Sequence, residues 1–175
     1  TNDVVGVPEA YTGELDDAME ISAELGLEGV VAKQKTSTYS MGRRSEDWVK
    51  VKHEFHQEVV IVGWRDGKGG RSQTFGSLLL AVPDGDDLRY VGRVGTGFNE
   101  KQLKEARTKL DKITRKTPPA KDIPEEDQAD AHWVSPKLVG EVEFRELTAQ
   151  NRLRQPVWRG WRPDKNPDDV RWEQP

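Results

Sequence analysis

The sequence predicts a mainly β chain: a five-stranded Greek-key barrel with an inserted helix over residues 54–175, preceded by a short α/β segment over residues 1–53. Three observations carry this. Runs of β-branched and apolar residues, Glu58–Trp64, Thr74–Val82 and Leu88–Val94, are separated by turn-forming stretches. One amphipathic helical stretch follows the third run, and a long alternating run comes after it. Upstream of His53 the texture differs, with one helical pattern and two short strands, too little apolar surface to bury a core alone.

Each element has its own signal. Leu15, Ala18, Met19, Ser22 and Leu25 recur at helical spacing, and Gly26 follows as a C-terminal cap. Leu27–Lys33 reads as a short strand, Thr36–Asp47 as a polar loop turning at Gly42, and Trp48–Lys52 as a second strand. The chain boundary near His53 is the expected hinge. Beyond it, Asp66–Arg71 (DGKGGR) is a glycine-rich hairpin loop and Asp84–Asp87 (DGDD) a turn. Asn99 caps a helix whose third position holds Gln102, the capping-box spacing, with Leu103, Ala106, Leu110 and Ile113 on its apolar face. Thr117–Asp130, rich in proline and acid, is a connector. Lys137–Leu147 is one long strand with Leu138, Val142 and Phe144 on one face and Glu141, Glu143 and Arg145 on the other. Short strands with a helix between the third and fourth are the pattern of the OB-fold.

Composition narrows the chemistry. The 175 residues contain no cysteine, which removes disulfides, zinc thiolates and thiol nucleophiles and fits a reducing cytoplasm. No stretch approaches the ~20 apolar residues of a membrane helix, and residues 1–7 lack the basic-then-apolar order of a signal peptide. The formal net charge is −4, but the charges are blocky. Cations gather in Arg43, Arg44, Lys50, Lys52 and His53, again along 101–116, and again in Arg152, Arg154, Arg159, Arg162 and Lys165. A protein that touches phosphates needs local positive faces, not a positive total. The helix cations at 101–116 are equally readable as a solvated face. Trp64, Trp158, Trp161 and Trp172 could stack on bases, although Trp64 reads better as core. The histidines, His53, His56 and His132, are too scattered for a metal site.

Three segments could carry chemistry. In Glu28–Lys33 (EGVVAK) a carboxylate that could hold a divalent metal and a lysine that could face a phosphate flank an apolar strand. In Trp48–Lys52 (WVKVK) Lys50 and Lys52 are two apart, so a strand points both to one side, where an anion between them relieves their repulsion. In Arg154–Lys165 (RQPVWRGWRPDK) cations surround one carboxylate, Asp164, which suits a polyphosphate or a DNA backbone. Taken singly, each reads as well as a charged strand end, a solvated face or a surface salt-bridge cluster.

In this order and at these separations, the three segments resemble motifs IV, V and VI of the nucleotidyltransferase ATP-dependent DNA ligases. The intervening YSMGRRSEDWVKVK, FGSLLLAV, RYVGRVGTGF and WVSPKLVGEVEF are similar to the same family, nearest its bacterial non-homologous end-joining members. The resemblance implies that residues 1–53 are the end of an adenylation domain and 54–175 the OB-fold domain. Glu28 is then the acid of motif IV that binds Mg2+ or Mn2+. Lys50 and Lys52 are the motif V lysines at the α-phosphate of ATP, with Lys33 beside the nucleotide. Arg162, Asp164 and Lys165 are motif VI, which orients the pyrophosphate leaving group as the OB-fold domain closes and later grips DNA. The implied partner is nicked or broken double-stranded DNA, engaged by a monomer at the bacterial nucleoid. The resemblance leaves open whether Ku and fused or separate polymerase and nuclease domains join it.

One departure stands out. The family's nucleophile is the lysine of a Lys-x-Asp-Gly motif, and the sequence contains none; Asp66–Gly67 follows Arg65 and has no lysine two places before it. The expectation is that motifs I, III and IIIa lie upstream of Thr1 and that the chain alone forms no lysyl-AMP. Two other readings stand beside this one: another nucleotidyltransferase, such as a capping or RNA-ligating enzyme, and a non-catalytic OB-fold module that only binds nucleic acid.

Overall fold

The acidic pair Asp16 and Asp17 favours the positive end of a helix dipole, and α1 runs Leu15–Glu24 with both in its first turn. It belongs to the first of two compact units, which divide between His53 and Glu54 in a computed structural model that describes residues 10–43 and 45–173. Arg44 and residues 1–7, read above for charge and for a signal sequence, lie outside the described residues. Gly26 and Leu27 close the last turn of α1 with N–H bonds to the carbonyls of Ala23 and Ser22, both 2.9 Å. Among the residues of α1 only Ser22 is buried; Leu15 and Ile21 in the helix, and Leu25 and Leu27 after it, are exposed.

The two strands of this unit are β1 (Gly29–Lys33) and β2 (Trp48–Lys52), antiparallel with Gly29 opposite Lys52 and Lys33 opposite Trp48. The expected start at Leu27 is two residues early, because the helix cap uses Leu27. Gly29 holds φ +146°, and a Cβ there would lie 2.2 Å from the Val51 carbonyl oxygen, so the strands meet at this end only over a glycine.

In the second unit the apolar runs become the barrel. Strands β3 (Phe55–Arg65), β4 (Ser77–Asp84) and β5 (Asp87–Val94) form an antiparallel meander. Helix α2 (Glu100–Asp111) follows, with the predicted capping box in place: Gln102 N–H donates to Asn99 Oδ1 at 2.8 Å and Asn99 N–H to Gln102 Oε1 at 2.9 Å. Leu103, Ala106 and Leu110 enter the same apolar cluster as the strand residues Ile61, Leu80 and Val91. Strands β6 (Thr114–Arg115) and β7 (Ala131–Val134) pair with each other, and β7 also pairs with β3. They flank the short helix α3 (Glu125–Gln128). Then come β8 (Val139–Phe144), β9 (Glu146–Leu147), β10 (Leu153–Arg154) and β11 (Val157–Trp161).

The main sheet runs β11-β8-β3-β4-β5. A parallel bridge between Thr96 and Val157, with Trp158 N–H on the Thr96 carbonyl at 2.9 Å, joins its two ends into a closed barrel. That is the OB-fold order expected from the sequence, with the helix between the third and fourth barrel strands.

Two expectations are corrected and one is filled in. Lys137–Leu147 is not one strand: β8 ends at Phe144 because its partner β3 begins opposite, at Phe55, and the chain turns away to make the β9–β10 pair. The connector Thr117–Asp130 carries structure of its own: Lys121 pairs along β5 through Leu88 and Tyr90, and Ile123 and Asp127 are buried. Thr74–Gly76 is a turn, with Thr74 N–H on the Arg71 carbonyl and Gly76 N–H on that of Arg65, so β4 starts at Ser77.

Candidate functional site

In the first unit, the pairing of β1 with β2 places Val31 opposite Lys50 and Lys33 opposite Trp48, so Lys33, Lys50 and Lys52 project from one face of the ribbon. Lys52 forms an ion pair with Glu28, the residue that precedes β1. Lys50, about 7 Å along the strand from Lys52 by strand rise, is exposed and has no ion-pair partner among the described residues. The Lys33 ammonium sits 4.4 Å from the Trp48 ring centroid, a cation–π contact. Trp48 is itself fixed: its indole N–H donates to Ser37 Oγ at 2.9 Å, and Ser37 Oγ donates to the Gln34 carbonyl at 2.7 Å. Sequence reading treated Trp48 as a strand residue only; the structure makes it the surface that holds Lys33. His53, watched as a hinge residue, places Nε2 3.2 Å from Ser22 Oγ.

In the second unit, β11 delivers Arg162 and its neighbours. The strand is anchored by Trp158, which is buried, stacks on Phe98 at 5.1 Å and meets Trp161 edge-on at 4.8 Å. Gly140 makes room for it: a Cβ at 140 would lie 2.1 Å from the Trp158 ring. Arg162 N–H donates to the Val139 carbonyl at 2.8 Å, and its guanidinium grips Asp164 with two bonds, Nε–Oδ1 at 3.0 Å and Nη2–Oδ2 at 2.9 Å. The same guanidinium reaches Glu58 at 2.7 Å and Glu141 at 2.9 Å through Nη1, and Lys165 Nζ lies 3.4 Å from Glu58. His56 Nδ1 is 3.0 Å from the other oxygen of Glu141.

The electrostatics follow the contacts. The hydrogen bonds from Arg162 hold the Asp164 carboxyl below its ordinary value, and those carboxylates keep Arg162 firmly charged, Asp164 first among them. The bond from His56, then that from Arg162, lowers Glu141. Glu58, Glu141 and His56 were not among the predicted site residues. Glu141 was read on the charged face of its strand, but its meeting with Arg162 depends on strand register, which no local pattern carries.

Other expectations resolve here as well. Trp64 is core: it lies 3.9 Å from His132 in a parallel stack, with the Arg107 guanidinium 3.9 Å from its centroid. Trp64 and Trp158 therefore cannot stack on a base. Arg107 also binds Asp111 and the Thr74 carbonyl, and Lys109 lies 4.9 Å from the Trp161 ring. The basic helix is thus partly committed to its own unit. No group of three or more His, Cys, Asp or Glu side chains able to hold a metal occurs among the described residues. The described residues therefore offer no all-protein cage for a divalent cation, and Glu28 is a single carboxylate paired with Lys52. No helix among the described residues is long and apolar enough to cross a membrane.

Comparison with known proteins places this arrangement. Residues 71–165 match the family described as ATP dependent DNA ligase C terminal region, and residues 9–52 match the ATP dependent DNA ligase domain. The chain is 49% identical over 168 residues to the multifunctional non-homologous end joining protein LigD of Mycolicibacterium smegmatis, covering 95% of this chain and 22% of that protein. It therefore spans about a fifth of that relative's length. It is similar to the crystal structure of the ligase domain of M. tuberculosis LigD, with a TM-score of 0.68 and 43% identity over 95% of this chain and 54% of that one. It is also similar to a mycobacterial DNA ligase D complexed with ATP and MES, with a TM-score of 0.62 and 41% identity over the same shares. Carrying both matched regions in order on an OB-fold barrel and the ribbon before it, the chain belongs to the ATP-dependent DNA ligase family.

Proposed function

We propose that this chain supplies the phosphate-binding strand and the OB-fold lid of a ligase that uses ATP to seal 3′-hydroxyl/5′-phosphate nicks during end joining. The observation that carries this is the shared face of Lys50 and Lys52 on β2, with Glu28 at its edge. Two ammonium groups at this spacing neutralise a phosphate as it gains charge in nucleotidyl transfer. Lys33, held over Trp48, adds a third cation to that face. Arg162 and Lys165, oriented with Asp164, act on the phosphates that leave. Glu28 would hold the divalent ion, Mg2+ or Mn2+, which when bound offsets phosphate charge. The nucleic-acid substrate is nicked or broken duplex DNA. In an end-joining setting at the nucleoid the protein works beside Ku and polymerase or nuclease activities, whether fused or separate.

The test is a chimera. The M. smegmatis relative has its matching 168 residues replaced by those of this chain, and nick sealing is measured with labelled 5′-phosphate duplex. Sealing is expected, and Lys50→Ala with Lys52→Ala should lower it by about 10²-fold or more, the usual cost of removing transition-state charge stabilisation. A chimera that seals as well with both lysines removed sinks the proposal. The chain alone, which has no Lys-x-Asp-Gly motif, should form no covalent adduct with labelled ATP. The reading as a non-catalytic OB-fold binding module rests on that same missing motif, and it predicts DNA binding with no sealing by the chimera.

A further inference from the structure

Glu58 and Glu141 are register partners on adjacent strands, β3 and β8, so two carboxylates face each other across the barrel wall. Like charges directly opposite destabilise a sheet unless a cation lies between them. Here Arg162 does so, through Nη1 to both, and Lys165 adds a second contact to Glu58. Asp164 occupies Nε and Nη2 of the same guanidinium. A guanidinium has five N–H donors; hydrogen bonds to Asp164 and Glu141 use three of them, and Glu58 lies against Nη1 as an ion pair at 2.7 Å. The contacts bring three carboxylates, Glu58, Glu141 and Asp164, against two cations, Arg162 and Lys165, with His56 bonded to the far oxygen of Glu141. A phosphate approaching this cluster meets no excess of positive charge and must compete with these carboxylates for Arg162.

We propose that Glu58 and Glu141 are a counter-anion latch: they stow Arg162 and Lys165 against the barrel wall and compete with a polyphosphate for them. The inference rests on the reading of Arg162 and Lys165 as phosphate-contacting groups. The side chains of both cations remain partly exposed, 29% and 36%, so a polyphosphate can reach them and displace the wall carboxylates. The latch keeps the two cations from binding single phosphates and releases them to a ligand that brings several charges at once.

The experiment titrates the 175-residue chain with inorganic tripolyphosphate, following backbone amides and the Arg162 Nε–H signal by NMR. Glu58→Gln with Glu141→Gln keeps the shape of both side chains and removes both charges. This variant should bind roughly three- to tenfold more tightly than wild type, the gain expected when partly exposed ion pairs no longer have to be broken. Glu125→Gln with Glu126→Gln, at two exposed acids on α3, makes the same change in total charge and should gain less. A wall variant that binds no more tightly than this control, or more weakly than wild type, overturns the latch. If the double variant does not fold, Glu58→Gln alone is titrated; it should show part of the gain, and no gain overturns the latch. Arg162→Ala with Lys165→Ala separates the two ideas. Binding equal to wild type there removes the phosphate reading and the latch together. Lost binding there, without a gain in the wall variant, removes the latch alone.

Discussion

Asp127 shows how much one side chain can organise. Its carboxylate is buried and accepts from Arg65 at 2.8 Å and Tyr90 Oη at 2.7 Å, and it also pairs with Arg93. Burial and the neighbouring Asp127 carboxylate both push the Tyr90 hydroxyl up, so it stays a donor throughout the physiological range. Asp127→Ala would leave two arginines and a buried hydroxyl facing a void. The cost should be about 2–4 kcal/mol, below the figure for fully buried pairs because both arginines keep some access to water, and urea unfolding would measure it. A second residue-scale prediction concerns pH. Glu141 and Asp164 both lie below their ordinary values in the folded state, so each contributes stability above the ordinary carboxylate range near pH ~4 and loses it as pH falls through the folded value. The urea midpoint should fall between about pH 5 and pH 3, and Glu141→Gln should flatten that fall. An unchanged slope in Glu141→Gln would show that Arg162 and His56 do not hold this carboxylate in solution.

Elements obey simpler rules. The reciprocal Asn99–Gln102 bonds satisfy two N–H groups at the start of α2. Asn99→Ala should cost about 0.5–2 kcal/mol, read as a lower melting temperature, with Asn99→Gly losing less. This box was legible from four consecutive letters because capping is local. The fate of β11 was not. The segment Arg154–Lys165 looked like a run of cations, yet Val157–Trp161 closes the barrel, because Trp158 finds a seat over Gly140 and against Phe98. Such a seat exists only after β8 and the segment that carries Phe98, between β5 and α2, are in place. The inward turn of Asp127 has the same cause: Pro and acid mark a connector, but which acid turns inward depends on the arginines that β3 and β5 bring to it.

For the molecule as a whole, the two units differ in what holds them. The second has a core of fully buried residues, Val59–Val62 and Leu78–Val82 among them, whereas α1 of the first buries only Ser22. Charge is distributed just as unevenly, so under the proposed function any grip of this chain on DNA should come from local cations despite the net charge of −4. In a gel-shift titration on nicked duplex, affinity should fall steeply between about 50 and 200 mM salt if several phosphates are contacted. A flat salt response would place the DNA grip elsewhere.

The sequence by itself determined the mainly β class, the barrel meander, the helix with its cap and the paired lysines of WVKVK, since each depends on periodicity or spacing within a few residues. The resemblance to the ligases was legible for the same reason: its motifs are contiguous strings. Tertiary structure alone decided that Glu58 and Glu141 meet under Arg162, that Trp48 carries Lys33, that Asp127 is buried, and that β11 closes the sheet. Each of these joins parts of the chain through strand register, loop closure or side-chain packing, and those are set by the global balance of burial and pairing and not by neighbouring letters.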